Sequence, residues 1–525
     1  MRSLNQSVTT ITLAATATLG VWSGSAKAAS LTIGQNFTGT TVLDVARLNN
    51  GLSFTPPDTI GAVGTDHIVG FTNGSFTIYD KTTATRLQQL SHSQFWTDIA
   101  GIELNRGLTL DPRVVYDVAS ERWFAAAVNR EFDQETQFPI SNNYLLAVSN
   151  SADPTTDWKG FKIDADPTDT FEADFPRLGL DADGVYLASN NFPIGRGRVN
   201  MSLVSIPKAD LLSSTPTVAN AQIFRNLDLF QYGWTIQPAL DFGLSDGRAA
   251  LLATDIFTTT NVLKRADLFN SDSSSASLSS PVDIPVDTYT SPPLATQPDG
   301  SKIIRTNDYR FSGNVFEIGD SLWATHNINV GGRAAIRWYE IDERTNAVLQ
   351  SGTIGDPEHD YFYPSIAVNP FGDVVIGFNR SGLNEFISSY AVLGETNKGV
   401  TTFGNPLLLR AGTVNYQGLP GGDPPDRPDV RWGDYSATVI DPSDPFSFWT
   451  FQEVPRLAIF IGGDTERVWT TQITQVKIVR SVPEPASVMG LLAFAGLSAA
   501  SWRKRKNQST ASDRLLKMRR KGEDS

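Results

Sequence analysis

Charged side chains recur at the start of similar short segments along the chain. The clearest form is a Pro-Arg pair with an aspartate four residues after the arginine, at 112–117 and at 176–181. The planar fork of arginine suits recognition of a carboxylate or a sulfate group. The repeat starts therefore supply the candidate ligand-binding residues, which are Asp58, Asp111, Arg113, Arg177, Gln237, Tyr363, Arg431 and Asp434.

A structural role is the alternative for the two equivalent arginines. Arg113 and Arg177 can each pair with a neighbouring acid, such as Asp111 or Asp174, and so fix a contact between repeats. The residue types alone do not decide between the two roles.

Two acidic turns are candidates for calcium binding. Residues 164–169 and 181–184 carry aspartates at alternating positions, and calcium prefers hard oxygen ligands on short loops. Neither turn has the full twelve-residue loop that ends in glutamate, and aspartate also favours turns for conformational reasons. The sequence therefore predicts no cofactor, with calcium as the alternative.

Composition excludes several classes of site and partner. The chain has no cysteine, which excludes disulfides, thiolate metal sites and cysteine nucleophiles. Its four histidines lie far apart, so a His-Glu-x-x-His metal helix is absent from the sequence. The formal net charge of −13 argues against nucleic acid as a partner.

The elements that must position these residues form a repeat. Seven copies of an apolar strand, a tight polar turn and a second apolar strand start at residues 57, 112, 176, 238, 314, 364 and 434. A third and often a fourth strand follow each pair. Four-stranded antiparallel units arranged around an axis bury both faces of every sheet. The pattern predicts an all-β fold, a seven-bladed β-propeller of four-stranded antiparallel sheets over residues 29–480.

Closure of the ring is predicted to combine strands from both ends of the body. Residues 31–33 or 41–43 would join 472–476 in the final blade. The stretches 271–298 and 417–428 are rich in Ser, Pro, Gly and Asp and are interpreted as long surface loops. A pair of β-sandwiches is the alternative architecture, since it also has short, regularly spaced strands.

The N-terminus has the features of a secretory signal peptide. A basic residue at position 2 precedes an uncharged stretch over 8–22, and Ala26-Lys27-Ala28 resembles a cleavage site. We therefore expect a signal peptide over residues 1–28 and an exported protein. An uncleaved anchor helix is the alternative.

The C-terminus carries a second address signal. A Pro-Glu-Pro segment precedes an uncharged stretch over 486–502, which predicts a single membrane helix, and a basic cluster follows that stretch. Positive charge keeps this end in the cytoplasm, so 507–525 is expected to be a basic cytoplasmic tail. The motif residues are Pro483, Glu484, Pro485, Arg503, Lys504 and Arg505.

These three features in this order resemble the PEP-CTERM sorting signal of Gram-negative bacteria, here over residues 481–506. The resemblance implies that an exosortase, a membrane protease, recognises and processes the segment. It also implies anchoring in the inner membrane through the C-terminal helix, at least transiently, and then display at the cell surface or release.

The repeat itself resembles the sialidase-like and BNR-type propellers, in which Pro-Arg-x-x-x-Asp before a turn is common. That resemblance implies arginines that grip a sugar acid and a Tyr–Glu pair with an Asp that perform hydrolysis. The chain lacks the Phe-Arg-Ile-Pro segment and the Ser-x-Asp-x-Gly-x-Thr-Trp box of that group. We therefore assign no catalytic residue from it.

The sequence as a whole predicts an exported, non-catalytic propeller that binds an extracellular glycan, a matrix component or a protein. A glycoside hydrolase or lyase acting on extracellular polysaccharide is the main alternative, and a purely architectural envelope protein is the other.

Overall fold

The computed structural model describes residues 29–480 except 106, 134, 136–138, 258, 301, 420–426, 461, 462 and 464. Residues 30–479 form one compact body of β-structure. The predicted signal peptide, sorting segment, membrane helix and basic tail lie outside the described residues. Within the part of the chain that is described, no helix is long and apolar enough to cross a membrane.

The strands follow the repeat, and each is antiparallel to the next in its unit. The first half of the body contains β1 (Ser30–Thr41), α1 (Val42–Leu48), β2 (Ile60–Val63), β3 (His67–Thr72), β4 (Ser75–Asp80), β5 (Arg86–Leu90), α2 (His92–Gln94) with a π-helical turn (Phe95–Ile99), β6 (Gly107–Asp117), β7 (Arg122–Phe132), β8 (Pro139–Ser149), β9 (Trp158–Asp164), β10 (Phe171–Leu180), β11 (Gly184–Pro193), β12 (Asn200–Pro207), α3 (Lys208–Leu212) and β13 (Gln222–Leu227).

The second half contains α4 (Leu229–Tyr232), β14 (Trp234–Pro238), β15 (Leu240–Asp241), β16 (Arg248–Thr254), β17 (Thr259–Phe269), β18 (Ser277–Leu278), β19 (Val282–Thr290), β20 (Ile303–Ile304), β21 (Phe316–Ile318), β22 (Ser321–Val330), β23 (Arg333–Asp342), β24 (Val348–Ile354), β25 (His359–Val368), β26 (Asp373–Gly382), β27 (Glu385–Asn397), β28 (Val400–Phe403), β29 (Leu407–Arg410), β30 (Asp429–Val430), β31 (Ala437–Asp441), β32 (Asp444–Ile459) and β33 (Thr465–Val479).

The body is an all-β propeller, but its sheets are not the predicted seven separate blades of four strands each. Five blades are separate sheets of four or five strands: β2–β5, β6–β9, β14 with β16–β19, β25–β29, and β31–β33 with β1. The remaining two units, β10–β13 and β21–β24, share one nine-stranded sheet through β15. The prediction of seven separate four-stranded blades is therefore wrong.

The merger has a local cause in the first strand of the fourth unit. Leu240 pairs in parallel with Leu180 of β10 and with Phe316 of β21. Pro238 ends β14 and the N–H of Ala239 still donates to the carbonyl oxygen of Ala250, whereas the N–H of Leu240 donates to that of Val315 in the next unit. First strands that run in the same direction and converge near the axis make such pairing possible.

The ring closes as the sequence predicts. β1 pairs antiparallel with β33, with Ile33 opposite Val476 and Thr38 opposite Gln472. Residues 31–33 therefore supply the closing strand, whereas Val42 begins α1. The final blade thus combines strands from the two ends of the body, which leaves fewer unpaired sheet edges. The predicted loop over 271–298 is only partly a loop, because β18 and β19 both pair with β17.

The core lies between adjacent units. One apolar cluster joins Tyr186 and Leu203 of the third unit to Leu251 and Leu268 of the fourth. Exposure increases from the axis outwards: all of β2 is buried, whereas the fourth strand of the same blade, β5, contains no buried residue. Burial of both sheet faces is therefore achieved by the neighbours.

Gly61 provides a test of this packing. A Cβ atom at Gly61 would lie 2.1 Å from Cδ1 of Phe451, which is buried in the last blade. We expect Gly61→Ala to lower the free energy of unfolding by about 1–3 kcal/mol, because the ring has no room to move. Gly404→Ala is the matched control, since its nearest neighbouring atom is 3.9 Å away. Equal midpoints of urea denaturation for the two variants would contradict the proposed close packing of the first and last blades.

Candidate functional site

The first strand of a unit is the one nearest the axis, and several first strands carry a bulge near their starting ends. We call the end of the channel where these strands start the channel mouth. The register of β6 shifts between Leu110 and Arg113, and β10, β14 and β25 shift at the same place. At five of the first strands, one residue near the start has a positive φ, a conformation that costs of order 1–3 kcal/mol. These residues are Asp58 (51°), Asp111 (57°), Phe175 (53°), Thr235 (62°) and Tyr363 (49°).

Asparagines of the preceding unit hold these bulges. Asn73 Oδ1 accepts a hydrogen bond from the backbone N–H of Asp111 at 2.9 Å, and Asn327 Oδ1 accepts one from Tyr363 at 2.9 Å. Sequence reasoning missed these residues. A signal for them exists, because an asparagine follows the apolar run of the second strand at positions 73, 129, 190, 327 and 379.

A group of carboxylates interacts just below the mouth, and three of its members are predicted site residues. The group consists of Asp58, Asp111, Asp434 and Glu453. Asn73 Nδ2 donates to Asp58 Oδ2 at 2.6 Å, and the N–H of Phe175 donates to Asp111 Oδ2 at 3.0 Å. Oδ1 of Asp58 and Oε2 of Glu453 are buried and have no hydrogen-bond partner among the described residues.

Burial is the main influence on this group of carboxylates. It raises the pKa of Asp58 and of Asp111, and the negative charge of Asp434 raises both further. Burial also raises the pKa of Asp434 and of Glu453. Because neighbouring carboxylates cannot all ionise in a dry site, the group holds protons to a higher pH than free carboxyl groups do.

Asp174 extends this group towards solvent. Its side chain is partly exposed, and burial together with the charge of Asp111 raises its pKa to about 7. Arg310 and Arg130 act in the opposite direction and favour the ionised form. Asp174 is therefore a carboxyl group at the mouth that can gain or lose a proton near neutral pH.

Arg113 lies within the same cluster. Its Nε donates to the carbonyl oxygen of Pro176 at 2.7 Å, and its guanidinium carbon lies 3.4 Å from the ring centroid of Tyr435. Nη1 and Nη2 are buried and make no hydrogen bond to any described residue. The guanidinium thus packs on an aromatic ring and keeps donors that a ligand or water could use.

Arg177 occupies the equivalent position but has different partners. Its Nε donates to Oε1 of Gln237, another predicted site residue. Nη2 donates to the carbonyl oxygens of Phe311 and Gly313 at 2.6 and 2.8 Å. Arg177 and Gln237 are therefore brought together, and they link three units of the ring. In the described structure neither Arg113 nor Arg177 hydrogen-bonds to Asp111 or Asp174.

The last two predicted residues also have backbone partners. The hydroxyl of Tyr363 donates to the carbonyl oxygen of Arg305 at 3.0 Å, and Nη2 of Arg431 donates to that of Thr55. Tyr363 is buried and Arg431 is partly exposed. Of this pair, only Arg431 is accessible from solvent.

The rim of the mouth includes an ion pair that sequence reasoning missed. Arg310 donates to both oxygens of Asp308, at 2.8 and 2.7 Å. Its guanidinium carbon lies 4.4 Å from the ring centroid of Phe175 and 5.1 Å from that of Trp234. Trp234 Nε1 donates to Asp308 at 3.0 Å. The segment that carries the pair lies between strands and has no counterpart in the repeat, so the pattern gave no signal for it.

The opposite end of the channel is apolar. A cavity of about 280 Å³ lies where the first strands end, and most of its lining is aliphatic, aromatic or proline. Val63, Val115, Leu240, Phe316 and Val439 belong to this lining. Asp441 is the one charged residue in this described lining, so the cavity itself contrasts with the mouth.

A family model of the PEP-CTERM protein-sorting motif matches residues 481–506, the segment identified from the Pro-Glu-Pro sequence and its basic cluster. The chain carries a PEP-CTERM sorting motif. Such a motif implies export and processing by an exosortase, a membrane protease.

Several solved propellers resemble the body. The polysaccharide lyase Uly1 is 10% identical with a TM-score of 0.43, covering 85% of this chain and 99% of its own. The Penicillium chrysogenum alpha-L-arabinanase is 10% identical with a TM-score of 0.35, covering 71% of this chain and 93% of its own. The Trypanosoma rangeli sialidase is 11% identical with a TM-score of 0.32, covering 83% of this chain and 60% of its own. No curated protein sequence matches the chain. These similarities assign no activity.

Proposed function

We propose that this PEP-CTERM protein is displayed at the cell surface and binds an extracellular glycan at the channel mouth. The observation that supports this most is the set of groups that reach solvent there: the carboxylates of Asp174 and Asp434, the Arg310–Asp308 pair, and the indole of Trp234. Carboxylates and guanidinium groups hydrogen-bond to sugar hydroxyl groups, and an indole face covers an apolar sugar face. Buried, strained and partly protonated groups are costly, which favours a functional reason for them.

A second candidate function is favoured by one observation. A carboxyl group whose pKa is raised to about 7, as for Asp174, has the proton affinity required of a general acid or base. Its neighbours in the carboxylate group could provide a second acid. Hydrolysis or elimination on a polysaccharide is therefore the alternative to binding alone.

Binding of the full chain to a glycan array tests the proposal. Asp174→Asn and Asp434→Asn should each weaken binding about tenfold or more, because a charge-assisted hydrogen bond contributes about 1.5–3 kcal/mol. Asp157→Asn is the control and should leave binding unchanged, since Asp157 is exposed in the turn between β8 and β9, at the opposite end of its blade from the start of β6. Wild-type chain that binds no glycan, or mouth variants that bind like the control, would overturn the proposal.

The same glycans distinguish binding from catalysis. Release of new reducing or unsaturated ends by the wild type, lost in Asp174→Asn while binding is retained, would establish the enzymatic alternative. Binding without product release favours the non-catalytic role.

A further inference from the structure

A second acidic group lies between the fourth and fifth units, at the opposite end of the first strands from the mouth. Asp241 belongs to β15, Glu317 to β21, Asp246 to the loop before β16, and Glu343 to the turn after β23. One carboxylate oxygen each of Asp246, Glu317 and Glu343 lies within 4.8 Å of the others. Asp241 and Glu317 are direct neighbours across the parallel pairing of β15 and β21. The group therefore forms at the junction that creates the nine-stranded sheet.

Glu317 is the unusual member of this group. Only 7% of its surface is exposed, yet within the described residues no side chain or backbone N–H donates to its carboxylate. Its carboxylate oxygens keep some contact with solvent, and one of them lies among the oxygens of Asp246 and Glu343, which could share a ligand with it.

Charge counting shows what kind of ligand would fit. Four carboxylates face two guanidinium groups, those of Arg248 and Arg265, so −4 + 2 leaves two negative charges. Arg265 is also shared with Asp267, to which Nη2 donates at 2.8 Å. Both arginines bind Glu343 and Arg248 also binds Asp246, which leaves Glu317 and Asp241 with no guanidinium hydrogen bond in the described structure. A divalent cation would neutralise the remainder.

We propose that Glu317, Asp246 and Glu343 bind a calcium ion that joins the fourth and fifth units, with Asp241 adding negative charge beside them. All donors are carboxylate oxygens, the ligands that calcium prefers, and the irregular arrangement suits its flexible coordination better than the octahedron of magnesium. Asp246 is exposed on its loop and gives the ion a route from solvent. Each oxygen of Glu343 can accept an arginine N–H and still contribute a lone pair.

The two acidic turns proposed for calcium from the sequence, at 164–169 and 181–184, differ from the Glu317 group because their central carboxylates already accept hydrogen bonds. Asp166 accepts hydrogen bonds from Thr168, Thr170 and Phe171 of its own turn. Asp181 accepts from the following backbone and from the hydroxyl of Tyr186. Their carboxylates are satisfied without a metal, so calcium is assigned to the Glu317 group instead.

Calcium titration of the full chain, followed by calorimetry and by thermal unfolding, tests the site. We expect one ion per chain at this site and a rise in the unfolding temperature of about 3 °C or more at saturation. Glu317→Gln should weaken calcium binding about tenfold or more and remove most of the rise. Without calcium this variant should be at least as stable as the wild type at pH 8, because it removes a buried charge while preserving the shape of the side chain.

Asp169→Asn is the matched control, because Asp169 is exposed in the turn at 164–169 and has a positive φ of 52° that asparagine tolerates. It should bind calcium like the wild type. Loss of the calcium response in Asp169→Asn but not in Glu317→Gln would overturn the assignment, as would a wild-type chain that calcium neither binds nor stabilises. Neither outcome depends on glycan binding at the mouth.

Discussion

Replacing Arg177 with methionine should lower the free energy of unfolding by about 2–4 kcal/mol. The side chain is 1% exposed, and its guanidinium holds Gln237 and the carbonyl oxygens of Phe311 and Gly313. Methionine fills much of the same volume but donates no hydrogen bond, so buried acceptors of two other units lose their partner. Each unsatisfied buried acceptor costs about 1–3 kcal/mol, partly offset because the charge no longer has to be buried.

Urea denaturation followed by tryptophan fluorescence measures this effect. Arg196→Met is the control, since Arg196 lies exposed in the loop after β11 and its replacement should change stability by less than about 0.5 kcal/mol. If Arg177→Met unfolds at the same urea concentration as the control, Arg177 does not link the units, and its guanidinium becomes a stronger candidate for ligand contact.

The repeat could be predicted from the sequence because its signals are local. A proline or acid before an apolar strand, followed by a tight turn, places the start of each first strand to within a few residues. The merged sheet could not be predicted in this way. It depends on Leu240 pairing with Leu180 and Phe316, which are 60 and 76 residues away in sequence.

The site was predictable to the extent that it follows the repeat. Asp58, Asp111 and Asp434 interact because equivalent strand starts converge on one axis. Arg113 and Arg177 share a repeat position but have different neighbours, Tyr435 for one and Gln237 with carbonyl oxygens for the other. A repeat position therefore fixes where a side chain begins, whereas its partner depends on the adjacent unit.

The residues that were missed come from outside the first strands. Asp308 and Arg310 lie in a connection with no periodic pattern, and Glu453 lies on a second strand. Their contribution arises from long-range packing, since Glu453 accepts a hydrogen bond from Thr59 at 2.8 Å across the closure of the ring. Local sequence patterns carry no information about such a contact.

Stability should rise when the pH is lowered from 8 to 6.5, which is the reverse of ordinary acid denaturation. Asp58 and Glu453 have pKa values well above their usual range in the folded chain, and that of Asp174 is raised to about 7. The folded state therefore binds more protons than the unfolded state in this window, so the free energy of unfolding falls as pH rises. One such group contributes up to about 2 kcal/mol over 1.5 pH units.

The chosen window separates these carboxyl groups from the buried histidines. Burial lowers the pKa of His92 and of His326 to about 4, so these side chains take up protons on unfolding below about pH 6.5 and oppose the trend there. At pH 8 both are neutral in the folded and unfolded states, and at pH 6.5, where an unfolded histidine is about half protonated, each opposes the trend by only about 0.4 kcal/mol. Carboxyl groups with lowered pKa, such as that of Asp356 at about 2, are ionised throughout.

Asp58→Asn identifies the source of the effect. Asparagine tolerates the positive φ of 51° at this position, and its amide oxygen can still accept the hydrogen bond from Asn73. The variant should be more stable than the wild type at pH 8, and its gain between pH 8 and 6.5 should shrink by up to about 2 kcal/mol. Urea midpoints at the two pH values, with a calcium chelator present, measure both. The control Asp157→Asn should keep the full wild-type trend. Two outcomes would show that the carboxylates below the mouth are ionised and paired instead of protonated. One is a wild-type chain that loses stability when the pH is lowered from 8 to 6.5, and the other is an unchanged trend in Asp58→Asn.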